Sequence, residues 1–516
     1  MDNYDVIVVG AGNSGLVSAL YLLKKGYKVL LLEQQNKIGG LNQTMIKGRF
    51  EFDMSLFNYF IDSKKEDYSI KNIFEELGIE SDLEFSKIPE AFRVNTREGG
   101  DIPARDITMP IGIENFISKM EQIVKDSETA VRTFFELALE CKEALEYIMN
   151  TNEIDYDYIK ENYNNFMRVA PYSLSKVLDI IDMPLEAQEI LNTYWIYLGS
   201  PETEITFAQY AAFVYDAVNY GILIPNTKNY GIASDIANEY LISGGELKLN
   251  SPVVKLLVDD NKINGVKLKD GKTYYSNHVI VNGNMNVVYN KLLEPNEIPR
   301  EALKNMNQRE EGAKVLTVYL GLNRYAEEWG LKNFAYFLYD SMDSDVEFNR
   351  MNRVNSRDGV VLCINNAYKD ASPKGTCILT LSTFYFGDCL DSEITYENYY
   401  DFIDDTALKL MGSFEKRAKV KIKEYIEEVE IVSPLDYAKF NGVLNGVTYG
   451  YRLKGHDNLL PRYLNRKNEI YIDGLRLCGG FDGDLYGYSS SYVDGINVAK
   501  MTIEDMGGED SGKNKN

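Results

Sequence analysis

Histidine is almost absent from this chain. Two residues, His278 and His456, stand among 516. His278 precedes the apolar run Val279-Ile280-Val281, and His456 lies in the polar stretch Lys454-Gly455-His456-Asp457. Both read as structural or solvated. That supply argues against a histidine-rich metal centre or a histidine-based triad, and no metal is expected. Cysteine is scarce too. Cys141, Cys363, Cys377, Cys389 and Cys478 are scattered, odd in number and without a CxxC. This excludes a disulfide framework and a zinc knuckle, and it fits the reduced thiols of a cytoplasmic protein. Positive charge is in deficit, with Lys and Arg at 55 against 78 Asp and Glu, for a net charge of −23. Binding to nucleic acid rests on cationic neutralisation of phosphates, so no nucleic-acid partner is expected. Electrostatic docking on anionic lipid is disfavoured for the same reason. Apolar runs long enough to cross a bilayer are missing, and Asp2 and Asp5 precede the first short apolar run, so no signal peptide is expected. The expected location is the cytoplasm, with peripheral membrane contact through apolar surface still open. Catalysis, if there is any, must draw on a cofactor.

What the chain does have begins at residue 5. Asp5 leads through Val6-Ile7-Val8-Val9 into Gly10-Ala11-Gly12-Asn13-Ser14-Gly15. A helical pattern follows, then Lys28-Val29-Leu30-Leu31-Leu32 and Glu33. Strand, glycine-rich turn, helix, strand and acid occur in the order and spacing of a dinucleotide-binding unit. Each residue type has its reason. Gly10 permits the tight turn, Gly12 lets the backbone approach a pyrophosphate, and Gly15 lets helix and strand pack closely. The N–H groups of the helix N-terminus, around Ala11, Asn13 and Ser14, face the phosphates. Glu33 accepts from ribose hydroxyls and repels a 2′-phosphate. Its neighbour Gln34 is counted with the same site.

The next residues choose between dinucleotides. After Glu33-Gln34 the chain runs to Ile38-Gly39-Gly40-Leu41. A glycine pair beyond the ribose acid resembles the FAD site of the two-dinucleotide-binding-domain flavoproteins. The resemblance implies FAD rather than NAD, with Gly39, Gly40 and Leu41 flanking the pyrophosphate. Many of these proteins carry Arg where this chain has Leu41.

The βα rhythm is broken twice. Residues 67–227 carry helical patterning, including an amphipathic stretch from Val131 to Ile148, and read as an inserted lobe. The rhythm returns with a helix over 234–242 and strands over 247–250, 253–258, 263–269, 272–276 and 278–282. Residues 291–431 mix strands and helices as a second insertion. A last core segment spans 432–506, and the polar tail 507–516 reads as disordered. The expected fold is α/β: a Rossmann-like, discontinuous FAD-binding domain over 1–66, 228–290 and 432–506, with an inserted α+β substrate lobe over 67–227 and 291–431.

Four segments in this order resemble the phytoene desaturase-like flavoproteins, which include carotenoid desaturases, carotenoid isomerases and retinol saturases. They are the fingerprint with its glycine doublet and Phe52-Asp53; Gly244-Gly245-Glu246 through Asn282; Ser433-Pro434-Leu435 through Gly450; and Gly474-Leu475 through Gly480-Phe481-Asp482. Leu32-Glu33-Gln34 and Gly480-x-Asp482 are most similar to the saturase and isomerase branch. The resemblance implies that Val253 reads the adenine edge through its backbone. It implies that Asn282 belongs to the cofactor-binding set, and that Gly480 and Asp482 meet the phosphate and ribityl part of FAD. It also implies that the helix after Gly487 aims its N-terminus at the flavin. Departures are Ser55, where the family has glycine, and the polar aromatic run from Tyr486 to Tyr492.

The resemblance implies an FAD-dependent oxidoreductase that saturates, desaturates or isomerises C=C bonds of a hydrophobic polyene or isoprenoid. Tyr486, Tyr488 and Asp484 are candidates for moving the proton, and spacing does not choose among them. Two other readings stay open, an amine-oxidase-like flavoprotein and a redox-silent FAD-containing lipid-binding protein. A second glycine fingerprint is missing, so electrons would be exchanged with a partner, a quinone, a free reductant or the substrate itself.

Overall fold

The computed structural model describes residues 3–54, 60–61, 70–96, 104–151, 154–354, 358–387, 390, 393–442, 444–448, 450–455, 457–465, 469–479 and 488–508. Two sheets organise them.

The first sheet has five parallel strands. Val6–Val9 lies at its centre between Val29–Leu32 and Val279–Asn282, with Glu246–Lys248 and Leu475–Cys478 at the two edges. Its central strands are continuous apolar runs because both faces are covered. One face takes Val6, Val8, Val29 and Leu31 into a core with the helices Asn13–Lys24, Lys228–Ile242 and Tyr488–Asp505. The other takes Ile7, Leu30 and Leu32 against the antiparallel strands Val253–Asp259, Lys262–Leu268 and Thr273–Tyr275. At Gly495, inside the last helix, a Cβ would stand 2.5 Å from the Ser14 carbonyl oxygen. That glycine lets the C-terminal helix cross close to the fingerprint helix.

The second sheet has seven strands in the order Ile426–Val432, Lys314–Leu322, Cys377–Tyr385, Gly359–Cys363, Ala335–Tyr339, Glu90–Thr96 and Asp106–Pro110. Along Lys314–Leu322, Val315 and Tyr319 face a core shared with the helices Glu128–Asn150 and Phe207–Asn219. Leu316, Val318 and Leu320 face the helix Tyr399–Ala418.

Two expectations are corrected. The block after residue 67 is not helical throughout. It contributes Glu90–Thr96 and Asp106–Pro110, which join strands from beyond residue 314. Glu90–Thr96 is buried on both faces along most of its length, so it lacks the alternation that marks a half-exposed strand. The helix placed at 234–242 begins at Lys228, because Asp53 from a distant hairpin accepts the Asn229 backbone N–H at 3.1 Å. The amphipathic stretch is one helix, Glu128–Asn150.

Among the described residues the cysteines Cys141, Cys363, Cys377 and Cys478 are buried, and Cys389 and His456 lie outside them. His278 begins at the N-terminal edge of the parallel sheet, opposite the end that carries the glycine turn, which gives it a structural place. No described helix is long and apolar enough to cross a membrane.

The two insertions are tied by a buried ionic cluster. Arg417, in the last turn of Tyr399–Ala418, donates to the carbonyls of Asn95 (2.9 Å) and Tyr339 (2.6 Å). It also donates to Asp340 (2.7 Å) and Asp358 (2.9 Å). Arg350 adds a second guanidinium on Asp340. Glu347, fully buried, accepts the Ser341 N–H at 2.9 Å. Burial, and then the charge of Asp358, hold its carboxyl well above the usual carboxylate range. The folded chain therefore keeps a proton on Glu347 that the unfolded chain has released. The associated stability is present below pH ~4.5 and is lost as pH rises through the raised value. Glu347→Gln keeps a neutral carbonyl oxygen for Ser341. We expect the variant to match the native chain at pH 5 and to exceed it by about 1–2 kcal/mol at pH 8. Thermal unfolding at the two pH values checks this, and an equal shift at both would show that Glu347 is ionised in the fold.

Candidate functional site

The C-terminal ends of the parallel strands carry a cradle built from backbone. Gly10 sits at φ +98°, a conformation that favours glycine. A Cβ on Gly12 would stand 2.4 Å from Asn282 Oδ1, and one on Gly15 would stand 2.0 Å from the Gly10 carbonyl oxygen. Asn282 ends its strand and donates to the Cys478 carbonyl at 3.2 Å, so it forms the floor between the two neighbouring strands. The doublet folds over the turn. Gly39 N–H donates to the Ala11 carbonyl at 2.8 Å, and a Cβ on Gly40 would come within 3.2 Å of the Gly12 Cα.

At one end of the cradle stands Glu33. Its two carboxylate oxygens accept the backbone N–H groups of Ala11 (2.7 Å) and Gln35 (2.8 Å). Burial raises its pKa, and those two N–H groups oppose the shift. With the Gln34 N–H also acting on the carboxylate, its lone pairs still leave room for a ribose hydroxyl. Gln34 is exposed beside it. Asn250 and Ser251 donate to the carbonyls of Gln35 and Glu33 at 2.9 and 2.8 Å, which brings Val253 to this end of the cradle. Leu41 is half-buried against the large apolar core of the second sheet.

At the other end two helix N-termini converge. Asn13 opens the fingerprint helix, and its side-chain amide donates to Ser491 Oγ at 3.1 Å. Ser14 Oγ donates to the Ser491 carbonyl at 2.6 Å. Asn42, two residues beyond the doublet, bridges the helices by donating to Asn13 Oδ1 (2.7 Å) and to the Tyr492 hydroxyl (3.0 Å). Buried Asp494 accepts the Gly479 N–H at 2.6 Å. These contacts set the N-terminal, positive dipole ends of the two helices side by side. Of the other site residues read from the sequence, Gly480, Asp482, Asp484, Tyr486 and Gly487 lie outside the described residues. Tyr488 is the first residue of the C-terminal helix. Sequence reading missed Asn42 and Asp494. The place of Asn42 just after the doublet was the available signal.

Beyond the doublet the hairpin of Thr44–Lys47 and Phe50–Asp53 runs to the second sheet, where Phe52 packs on Tyr319 with ring centroids 5.8 Å apart. Tyr319 donates its hydroxyl to the Met54 carbonyl at 3.0 Å. At this seam Glu51, Asp53, Lys228, Leu362, Tyr368 and Ile378 line a small cavity. Lys228 sits at φ +57° and pairs with Glu51 at 2.8 Å. Burial, and then the charges of Asp53 and Glu51, raise the Tyr368 phenol, so it is protonated at neutral pH.

The turn that Cβ atoms would fill, the ribose-facing acid and the paired helix N-termini fit a dinucleotide, and the glycine doublet fits FAD. Comparison with known proteins agrees. Residues 13–412 match the family model described as flavin containing amine oxidoreductase, and the chain belongs to that family of FAD-dependent oxidoreductases. It is similar to a 4,4′-diapophytoene desaturase of a Methylomonas species, with 22% identity covering 90% of this chain and 89% of the relative. It is also similar to the all-trans-retinol 13,14-reductase of Danio rerio, with 23% identity covering 94% and 85%. Among solved structures, wild-type putrescine oxidase bound to putrescine shares the fold, with a TM-score of 0.63 at 15% identity over 97% of this chain and 99% of that one. The FAD-binding α/β fold expected from the fingerprint is borne out.

Proposed function

We propose that this chain is an FAD-dependent oxidoreductase acting on C=C bonds of a hydrophobic polyene or isoprenoid. The carrying observation is that relatives named as a diapophytoene desaturase and a retinol 13,14-reductase align with nearly the whole chain, second sheet included. The putrescine oxidase likeness is one of fold.

In this reading residues 1–66, 228–290 and 432–506 hold FAD, and residues 67–227 and 291–431 hold the substrate. The distinct cores of the two sheets support a division into two lobes, with the helix Ile70–Leu77 packing in the core of the first sheet and Phe50 and Phe52 in that of the second. Gly10, Ala11, Gly12, Asn13, Ser14 and Gly15 bind the pyrophosphate with Gly39 and Gly40. Glu33 takes the adenosine ribose, with Gln34 and Val253 beside it and Asn282 as floor. The family resemblance assigns Gly480, Asp482 and Gly487 to the ribityl and flavin end. When bound, the flavin accepts or delivers a hydride at its ring. The helix Tyr488–Asp505 directs its N-terminus there and stabilises negative charge on the ring. The second lobe orients the chain of the substrate and excludes water. Tyr486, Tyr488 and Asp484 remain the proposed proton carriers. Net charge and buried thiols suit a cytoplasmic protein, with any membrane contact peripheral and apolar.

Product mass tests this. With an acyclic or retinoid polyene and either reduced or oxidised enzyme, we expect a product heavier or lighter by two hydrogens, or an isomer of equal mass. Peroxide release with amines, and no change in any polyene, would favour the amine-oxidase reading instead.

A further inference from the structure

Asn42 carries an observation that the cradle described so far does not use. The residue is 1% exposed. Its amide nitrogen is spent on Asn13 Oδ1 and the Tyr492 hydroxyl, but its Oδ1 has no hydrogen-bond partner among the described residues. A buried acceptor without a donor costs about 1–3 kcal/mol. Buried polar groups in native proteins are nearly all hydrogen-bonded, so this position calls for a donor.

The surroundings say what kind of donor. Asn42 is tied to the N-terminal residue of the fingerprint helix on one side and to the C-terminal helix on the other. It therefore stands past the pyrophosphate turn, toward the flavin end of the cradle. Phosphate oxygens only accept, so they cannot satisfy Oδ1. The segment of FAD between its phosphates and its ring is a polyol, and its hydroxyls donate. Glu33, which suits the adenosine ribose, lies at the opposite end of the same cradle. We infer that Asn42 is a cofactor-positioning residue that accepts a hydrogen bond from a ribityl hydroxyl of FAD. With Leu41 turned into the apolar core, Asn42 is the side chain through which the doublet loop recognises the cofactor. It also couples that recognition to the two helices, because the same amide fixes Asn13 and Tyr492.

The inference separates FAD from its adenosine half. ADP shares the adenosine and both phosphates but has no ribityl chain. Titrating the full chain with FAD and, separately, with ADP reads the two halves on one protein. Asn42→Leu is expected to weaken FAD about 10-fold more than ADP, because release of Asn13 and Tyr492 is common to both ligands whereas the lost ribityl hydrogen bond belongs to FAD alone. Asn42→Asp keeps an acceptor and is expected to retain most of the native preference for FAD over ADP. Equal weakening of FAD and ADP would reduce Asn42 to a structural brace and overturn the inference, as would unchanged FAD affinity. If Asn42→Leu does not fold, the native chain still decides. FAD analogues with each ribityl hydroxyl replaced in turn by hydrogen are expected to include one that binds about 10-fold more weakly. If all bind like FAD, the inference fails. Failure of the native chain to bind FAD at all would instead sink the cradle.

Discussion

Gly12→Val is expected to leave the chain folded and strip it of flavin. The Cβ of the new residue would meet Asn282 Oδ1 at 2.4 Å, the far end of a side chain that can turn aside, with the rest of Asn282 no nearer than 3.6 Å. Gly12 has φ −76°, so the backbone tolerates a side chain. What the valine fills is the space into which the turn brings a pyrophosphate. We expect FAD affinity to fall by about 100-fold or more, ~3 kcal/mol, with thermal unfolding of the cofactor-free chain moved by only a few degrees. Gly15→Val is the contrast. Its Cβ would stand 2.0 Å from the Gly10 carbonyl oxygen, which is backbone and cannot yield without opening the turn. That variant is expected to lose about 3 kcal/mol of stability along with its flavin. Flavin absorbance and circular dichroism on the two proteins separate the cases. Normal flavin content in Gly12→Val would remove the cradle assignment.

Arg417→Met is expected to destabilise the fold by about 3–5 kcal/mol at pH 7, because it leaves Asp340 and Asp358 buried with one compensating guanidinium instead of two. The loss also releases the carbonyls of Asn95 and Tyr339, which belong to strands from different insertions. The deficit has a pH signature. Burial and the neighbouring Asp340 charge hold Asp358 above the usual carboxylate range, and removing Arg417 removes the main opposing cause. Protonation relieves the uncompensated charge, so the deficit is expected to narrow as pH falls from 7 towards 5. Unfolding midpoints across that range measure it. A deficit constant with pH would mean that packing of the arginine stem, rather than its charge, holds the two insertions together.

The sequence alone determined the half of the protein whose interactions are local. Gly10, Gly12, Gly15 and Glu33 lie within one strand–helix–strand unit, and the doublet follows at once. Their residue types are dictated by close backbone approach, and that requirement is visible in the letters. The apolar runs of the parallel strands were legible for a similar reason, since burial on both faces leaves no polar residue to confuse the reading. Only the tertiary structure decided the rest. Glu90–Thr96 pairs with Ala335–Tyr339, a partner far away in the sequence, and no local periodicity encodes it. The start of the helix at Lys228 depends on Asp53, and the orphaned oxygen of Asn42 depends on Asn13 and Tyr492 arriving from opposite ends of the sequence. Residue types near in sequence constrain backbone geometry directly. Contacts between distant residues are set by which faces the core brings together, and that was settled only when both sheets were built.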